Sequence, residues 1–157
     1  MQLGQEENKV FERILLTLDG SVMSEQALPV AINQAKCFQS ELFLLRVINP
    51  LTKSYPPGKA TLSTFEYAEK QLAMIATEYL EKIVSDIQED DFSVKIATRI
   101  GVPYQEIIKF SQENDVDLII MCTRGESGFT RWLVGSITDH VIRGSRIPVF
   151  VIPAVSE

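Results

Sequence analysis

Two rhythms divide this chain. Short runs of consecutive apolar residues alternate with longer stretches in which apolar residues recur every three or four positions. The first pattern reads as strands buried on both faces of a sheet, the second as amphipathic helices. The first run, Arg13-Ile-Leu-Leu-Thr-Leu18, follows a polar N-terminal stretch of eleven residues expected to be flexible, and stops at Asp19-Gly20-Ser21. Ser21 can cap a helix carrying Ala27, Leu28, Ala31, Ile32 and Ala35. Pro29 inside that pattern means either a kink or a later start. The second run is Glu41-Leu-Phe-Leu-Leu-Arg-Val-Ile48, and the stretch after it, with Pro50, Pro56, Pro57 and Gly58, reads as a loop. From Thr61 a long helix is signalled by Leu62, Phe65, Leu72, Ile75, Ala76, Tyr79, Leu80, Ile83 and Ile87, a stripe expected in the core. Phe92-Ser-Val-Lys-Ile-Ala-Thr-Arg-Ile100 alternates apolar with polar, as a sheet-edge strand does. Gly101-Val-Pro103 opens a third helix, and Asp117-Leu-Ile-Ile-Met-Cys122 is another buried strand. A glycine-containing loop then leads to a helix from Ser136 to Arg143 and a last strand, Ile147-Pro-Val-Phe-Val-Ile152.

Strands that alternate with helices predict an α/β fold, a parallel sheet of five strands with helices on both faces. A length of 157 residues suits one domain spanning 1–157, and no internal repeat breaks it. In such open sheets ligands bind beyond the carboxyl ends of the strands, where the winding reverses. The edge-like third strand implies that the chain winds outward and then returns, so that the first and fourth strands meet at the reversal. The crevice is therefore expected at Asp19-Gly20 and at residues 121–125.

Charge sharpens that expectation. Lys and Arg number 15 against 21 Asp and Glu, a net −6, which argues against a dedicated nucleic-acid binder and against docking on an anionic membrane. Residues 123–146, however, hold Arg124, Arg131, Arg143 and Arg146 against Glu126 and Asp139, a local +2. A cationic segment at the ligand edge of an acidic chain points to an anion. Gly125 and Gly128 let the backbone approach a ligand, and Gly135-Ser136 precedes a helix whose N–H groups and dipole favour phosphate. Ser136 can donate to that phosphate, cap the helix, or do both. No segment is long and apolar enough for a transmembrane helix, and no signal peptide is visible. Cys37 and Cys122 form no metal-ligand pattern with His140, the single histidine, and are expected to be buried free thiols in a reducing, cytoplasmic setting.

Three familiar phosphate chemistries fail on residue type. The first strand is followed by Asp19-Gly20-Ser21, with neither the lysine of a P-loop nor the G-x-G-x-x-G of a dinucleotide fold. A phospho-accepting receiver needs clustered acids there and an Asp after the third strand; this chain has one Asp and then Thr98-Arg99.

Four segments together resemble the universal stress protein family: Asp19-Gly20-Ser21 after the first strand, Asp117-Leu-Ile-Ile-Met-Cys-Thr-Arg-Gly125, Gly135-Ser136-Ile-Thr138 and Ile147-Pro-Val-Phe-Val-Ile-Pro153. The resemblance runs from Arg13 to Pro153. Its most specific part is the family's nucleotide motif, G-x2-G-x9-G-[ST], which aligns as Cys122-x2-Gly125-x9-Gly135-Ser136. It implies a three-layer α/β/α sheet of order 3-2-1-4-5, adenine nucleotide α-hydrolase-like, an ATP site (ADP or AMP being the alternatives) with Mg2+ on the phosphates, and a homodimer through the last strand, residues 147–152. Thr17 and Leu18 would lead into Asp19 on the ribose or adenine side, the Val47 backbone would bind adenine, and Met121 would pack near the base. Arg124, Gly125, Gly135, Ser136, Ile137 and Thr138 would surround the phosphates. Cys122 stands where the motif has glycine. If that glycine serves a positive φ, a cysteine costs about 1 kcal/mol; if it serves close approach, the thiol crowds the ribose.

A stress-response regulator that binds ATP without efficient catalysis is the leading expectation, since no nucleophile or general base is positioned and His140 reads as a surface residue. A nucleotide-free homodimeric interaction module is the alternative, and a slow ATPase a second one. Asp19 can equally cap its own turn, and Trp132, Leu133 and Val134 can close over a ligand or serve a dimer.

Overall fold

The computed structural model describes residues 11–49, 62–87, 92–123 and 135–154. Five parallel strands, β1 (Arg13–Thr17), β2 (Glu41–Ile48), β3 (Ser93–Ile100), β4 (Leu118–Cys122) and β5 (Val149–Ile152), form one sheet of order β3-β2-β1-β4-β5. Between them run α1 (Val22–Glu25), α2 (Leu28–Phe38), α3 (Leu62–Ser85), α4 (Pro103–Glu113) and α5 (Ser136–Gly144). The expected order and layers are those observed. β1 pairs with β2 from Arg13↔Glu41 to Thr17↔Leu45 and with β4 from Ile14↔Leu118 to Leu16↔Ile120, so the winding reverses between β1 and β4.

Successive side chains of a strand face opposite sides, and the core accordingly splits in two. Ile14, Leu16, Leu42, Leu44, Leu118 and Ile120 face α2 and α3, where Ala31, Ala35 and Leu80 complete the packing. Leu15, Phe43, Leu45, Ile119 and Met121 face α4 and α5, against Ile107, Phe110 and Val141. Each fully buried Leu or Ile contributes roughly 1.5–3 kcal/mol. The edge strand β3 has no fully buried residue, as its alternation predicted.

Four expectations change. The helix after Ser21 is split: Ser21 caps only the single turn α1, accepting from Ser24 N, and α2 starts at Leu28 with Pro29 in its first turn, where a missing N–H costs nothing. Ile75 is 55% exposed although its neighbour Ala76 is buried, because one helical residue turns the side chain by about 100° off the packed stripe. Cys37 is exposed for the same reason, two positions past the packing residue Ala35; only Cys122 is a buried thiol. The last strand proper begins at Val149, and Ile147 packs against the core just before it.

Candidate functional site

At the carboxyl ends of β1, β2 and β4 lies a cleft of about 120 Å³. β1 ends at Thr17, and Leu18 N still donates to Leu45 O (2.9 Å), carrying the chain up to Asp19 at the rim. There the chain turns sharply. Gly20 has φ +89°, a left-handed conformation that glycine adopts without a Cβ clash. Asp19 Oδ1 accepts from Ser21 N (2.9 Å) and Ser21 Oγ (2.6 Å), while Asp19 N donates to Ser24 Oγ (3.3 Å). The carboxylate thus shapes its own turn and still lines the cleft.

The opposite side is made by the junction of β4 and α5. Gly135 N donates to Thr123 O at 2.8 Å, and a Cβ on Gly135 would lie 2.8 Å from that same oxygen, so glycine is required by close backbone approach. Gly135, not Ser136, is the N-cap of α5, and it offers no side chain to the first-turn N–H groups. Thr138 Oγ1 donates to Cys122 O (3.1 Å), pinning the start of the helix to the end of β4.

Eight of the residues expected from sequence line this one cleft: Thr17, Leu18, Asp19, Val47, Met121, Cys122, Ile137 and Thr138. Gly135 and Ser136 stand beside it at the start of α5; Arg124 and Gly125, like Arg131 and residues 132–134, lie outside the described residues. Sequence reasoning missed Ser24, Leu45, Pro103 and Ile107, which also line it. Pro103 and Ile107 reach the cleft from α4, the helix that follows the edge strand, and only packing reveals that.

Cys122 is the last residue of β4, and no positive φ occurs there. Its thiol donates to Met23 O at 3.0 Å, so it ties β4 to α1. The strain alternative is thereby excluded. The cationic loop also needs correction. Arg143 lies near the far end of α5 and is bonded to Asp139 (2.9 Å), and Arg146 is exposed beyond that end, so neither is at the cleft. His140 is exposed, stacks on Tyr104 (4.6 Å, 30°), and its Nδ1 lies 2.6 Å from the carbonyl oxygen of Ser136. Among the described residues no three His, Cys, Asp or Glu side chains gather to hold a metal ion, and no helix is long and apolar enough to cross a membrane.

A polar cluster adjoins the Gly20 turn from outside the cleft. Tyr79 of α3 donates its hydroxyl to Glu25 Oε1 (2.9 Å), and the Arg46 guanidinium of β2 lies over the Tyr79 ring, 4.9 Å from its centroid. Burial raises the Tyr79 hydroxyl well above its ordinary range, and the hydrogen bond to Glu25 and that carboxylate's charge add to it; Arg46 opposes.

Comparison with known proteins agrees with this architecture. The sequence model of the universal stress protein family matches residues 11–153. Universal stress protein MJ0531 of Methanocaldococcus jannaschii is 33% identical over 145 residues, covering 91% of this chain and 82% of its own length. The solved structure of protein MJ0577 superposes with a TM-score of 0.76 at 28% identity, covering 94% of this chain and 99% of that one. A universal stress protein in complex with cAMP shares the fold, with a TM-score of 0.63, 17% identity, and coverage of 91% of this chain and 97% of that one.

Proposed function

This chain belongs to the universal stress protein family, and on that premise we propose that it is a stress-response regulator that binds an adenine nucleotide, ATP or its ADP and AMP relatives, in the crevice between β1 and β4, without efficient catalysis. The observation that carries this reading is the division of the cleft. Val47, Met121, Pro103, Ile107 and Ile137 offer apolar walls for a base; Asp19 offers a carboxylate for sugar hydroxyls on one side; the uncapped N-terminus of α5 faces the other, where phosphate is favoured. The cAMP-bound relative supports the same ligand class for this fold. Asp19 is the carboxylate of the lining, so Mg2+ would arrive on the phosphates and keep most of its waters. Asp19 Oδ1 is engaged with Ser21 in its own turn.

The test has two arms. The purified protein is denatured and its supernatant chromatographed for released nucleotide; its melting is then followed with ATP, ADP and AMP. A ligand at about 100 times its Kd adds about 2.7 kcal/mol, or roughly 5–10 °C for a chain of this size. No released nucleotide and no shift with any of the three overturns the reading. Val47→Trp, which fills the cleft from β2, should abolish the shift; unchanged binding would put the ligand elsewhere.

A second, compatible reading is a homodimer through the last strand. Among the described residues β5 pairs only with β4, and Phe150 on it is 37% exposed. An apolar edge is protected when it pairs with another strand. Sedimentation should give a dimer at micromolar concentration that Phe150→Lys converts to monomer; a monomeric parent chain rejects this interface.

A further inference from the structure

Arg46 interrupts the apolar run of β2 and is half-buried, yet the ion pairs of the described residues belong to Arg13, Lys95, Arg99, Lys109 and Arg143. Arg46 has no such partner among them. What it has is a ring and a glycine. Its guanidinium carbon lies over the Tyr79 ring, 4.9 Å from the centroid, a cation–π arrangement. Against the guanidinium also lies the turn after β1: a Cβ on Gly20 would fall 2.7 Å from Arg46 Nη2 and 2.9 Å from its Cζ. Gly20 is required for its positive φ, and the end of the Arg46 side chain packs against it. The turn is held on its other side by Ser24 Oγ, which accepts from Asp19 N and donates to Ser21 O (2.8 Å).

Leu45 and Val47 point into the cleft, whereas Arg46 between them points to the opposite face of the sheet. It therefore reaches the site from behind, through Gly20, and the residue it stands behind is Asp19. Resting on the adenine-nucleotide reading of the cleft, we propose that Arg46 is a positioning residue: clamped on Tyr79, its planar guanidinium is the support that sets the Asp19 turn, and with it the carboxylate that meets the nucleoside. The phosphates lie at the other side, by α5, so Arg46 acts on nucleoside and nucleotide alike.

The plane matters more than the charge. A lysine would keep the charge at that place and lose the flat surface that fits both ring and glycine. Calorimetric titration of the full chain with adenosine and with ATP separates the possibilities. Arg46→Ala should weaken both ligands by the same factor, three- to tenfold, and Arg46→Lys should not restore them. In an Asp19→Ala background the further change Arg46→Ala should have no effect, because its route to the ligand is gone. A purely structural role would lower affinity equally in both backgrounds. Should Arg46→Ala fail to fold, Arg46→Met keeps the aliphatic stem and carries the same test. If the parent chain takes up neither adenosine nor ATP, the reading of the cleft fails and the inference with it. If the parent binds, the inference alone is overturned by unchanged affinity in Arg46→Ala, by rescue in Arg46→Lys, by a loss confined to ATP, or by equal losses with and without Asp19.

Discussion

At the amino ends of the strands, Asp117 accepts from the backbone N–H groups of Glu12 (2.9 Å) and Arg13 (3.2 Å), the Arg13 side chain reaches Asn114 O (3.2 Å) and Asp115 (3.1 Å), Ser40 Oγ donates to Phe11 O (2.6 Å), and Glu41 pairs with Lys95. At the carboxyl ends the bonding is different in kind. Among the described residues the carboxylate of Asp19 bonds only within its own turn, α5 starts without a side-chain cap, and Arg46 has a ring and a glycine but no carboxylate. Both rims carry acids, arginines and serines, so composition does not distinguish them. The destination of each hydrogen bond does. One rim spends its polar groups on joining strands far apart in sequence, and the other keeps them at the edge of a cleft.

The widest way to break this contrast is to remove one carboxylate from each rim. Asp117→Ala leaves two strand-start N–H groups without their acceptor, so it should cost about 1–3 kcal/mol by denaturant unfolding, with nucleotide affinity within twofold of the parent. Asp19→Ala should do the reverse: a stability loss of about 1 kcal/mol or less, that of a local turn, and at least a tenfold loss of affinity by calorimetry. Equal stability losses with no binding effect at Asp19 would erase the difference between the rims.

Cys122 gives a smaller and sharper test, because it belongs to both the core and the cleft. Its thiol bonds to Met23 O and holds α1 against β4, while the residue also lines the cleft. Cys122→Gly should therefore cost about 1 kcal/mol, from a looser strand and a lost buried side chain, and change nucleotide affinity less than threefold. A tenfold gain would show that the thiol does obstruct the ligand.

Much of this was legible beforehand for a physical reason. Strands buried on both faces leave uninterrupted apolar runs, as at Ile14 to Leu16 and Leu118 to Met121, and alternation around Lys95 marked the edge. Order and winding then fix where the crevice lies. What the sequence hid depends on contacts between elements. Pro29 leaves a kink and a later start both open until the chain shows that a new helix begins beside it. Arg143 counts as loop charge until the helix carries it to the far end. Ile107 becomes a wall only when α4 packs beside the first strands' ends. Arg46 did leave a trace, a lone cation in the apolar run of β2, but its seat on Tyr79 joins residues 33 positions apart.

Tyr79 offers the finest test of the cleft rim, through pH. Burial first, then the bond to Glu25 and that carboxylate's charge, hold its proton far above the ordinary range. The unfolded chain releases the same proton near pH 10. Below that pH both states keep it and the stabilisation is whole; above it the folded state binds more protons than the unfolded one, so stability falls as pH rises. Tyr79→Phe keeps the ring under Arg46 but loses the bond to Glu25. It should therefore be less stable than the parent by about 0.5–1.5 kcal/mol at neutral pH, and the two unfolding curves should converge between about pH 10 and 12. Convergence ties the buried Tyr79 hydroxyl to its Glu25 acceptor. Parallel curves would mean that the hydroxyl titrates as a free surface phenol, and that the rim is held by the turn alone.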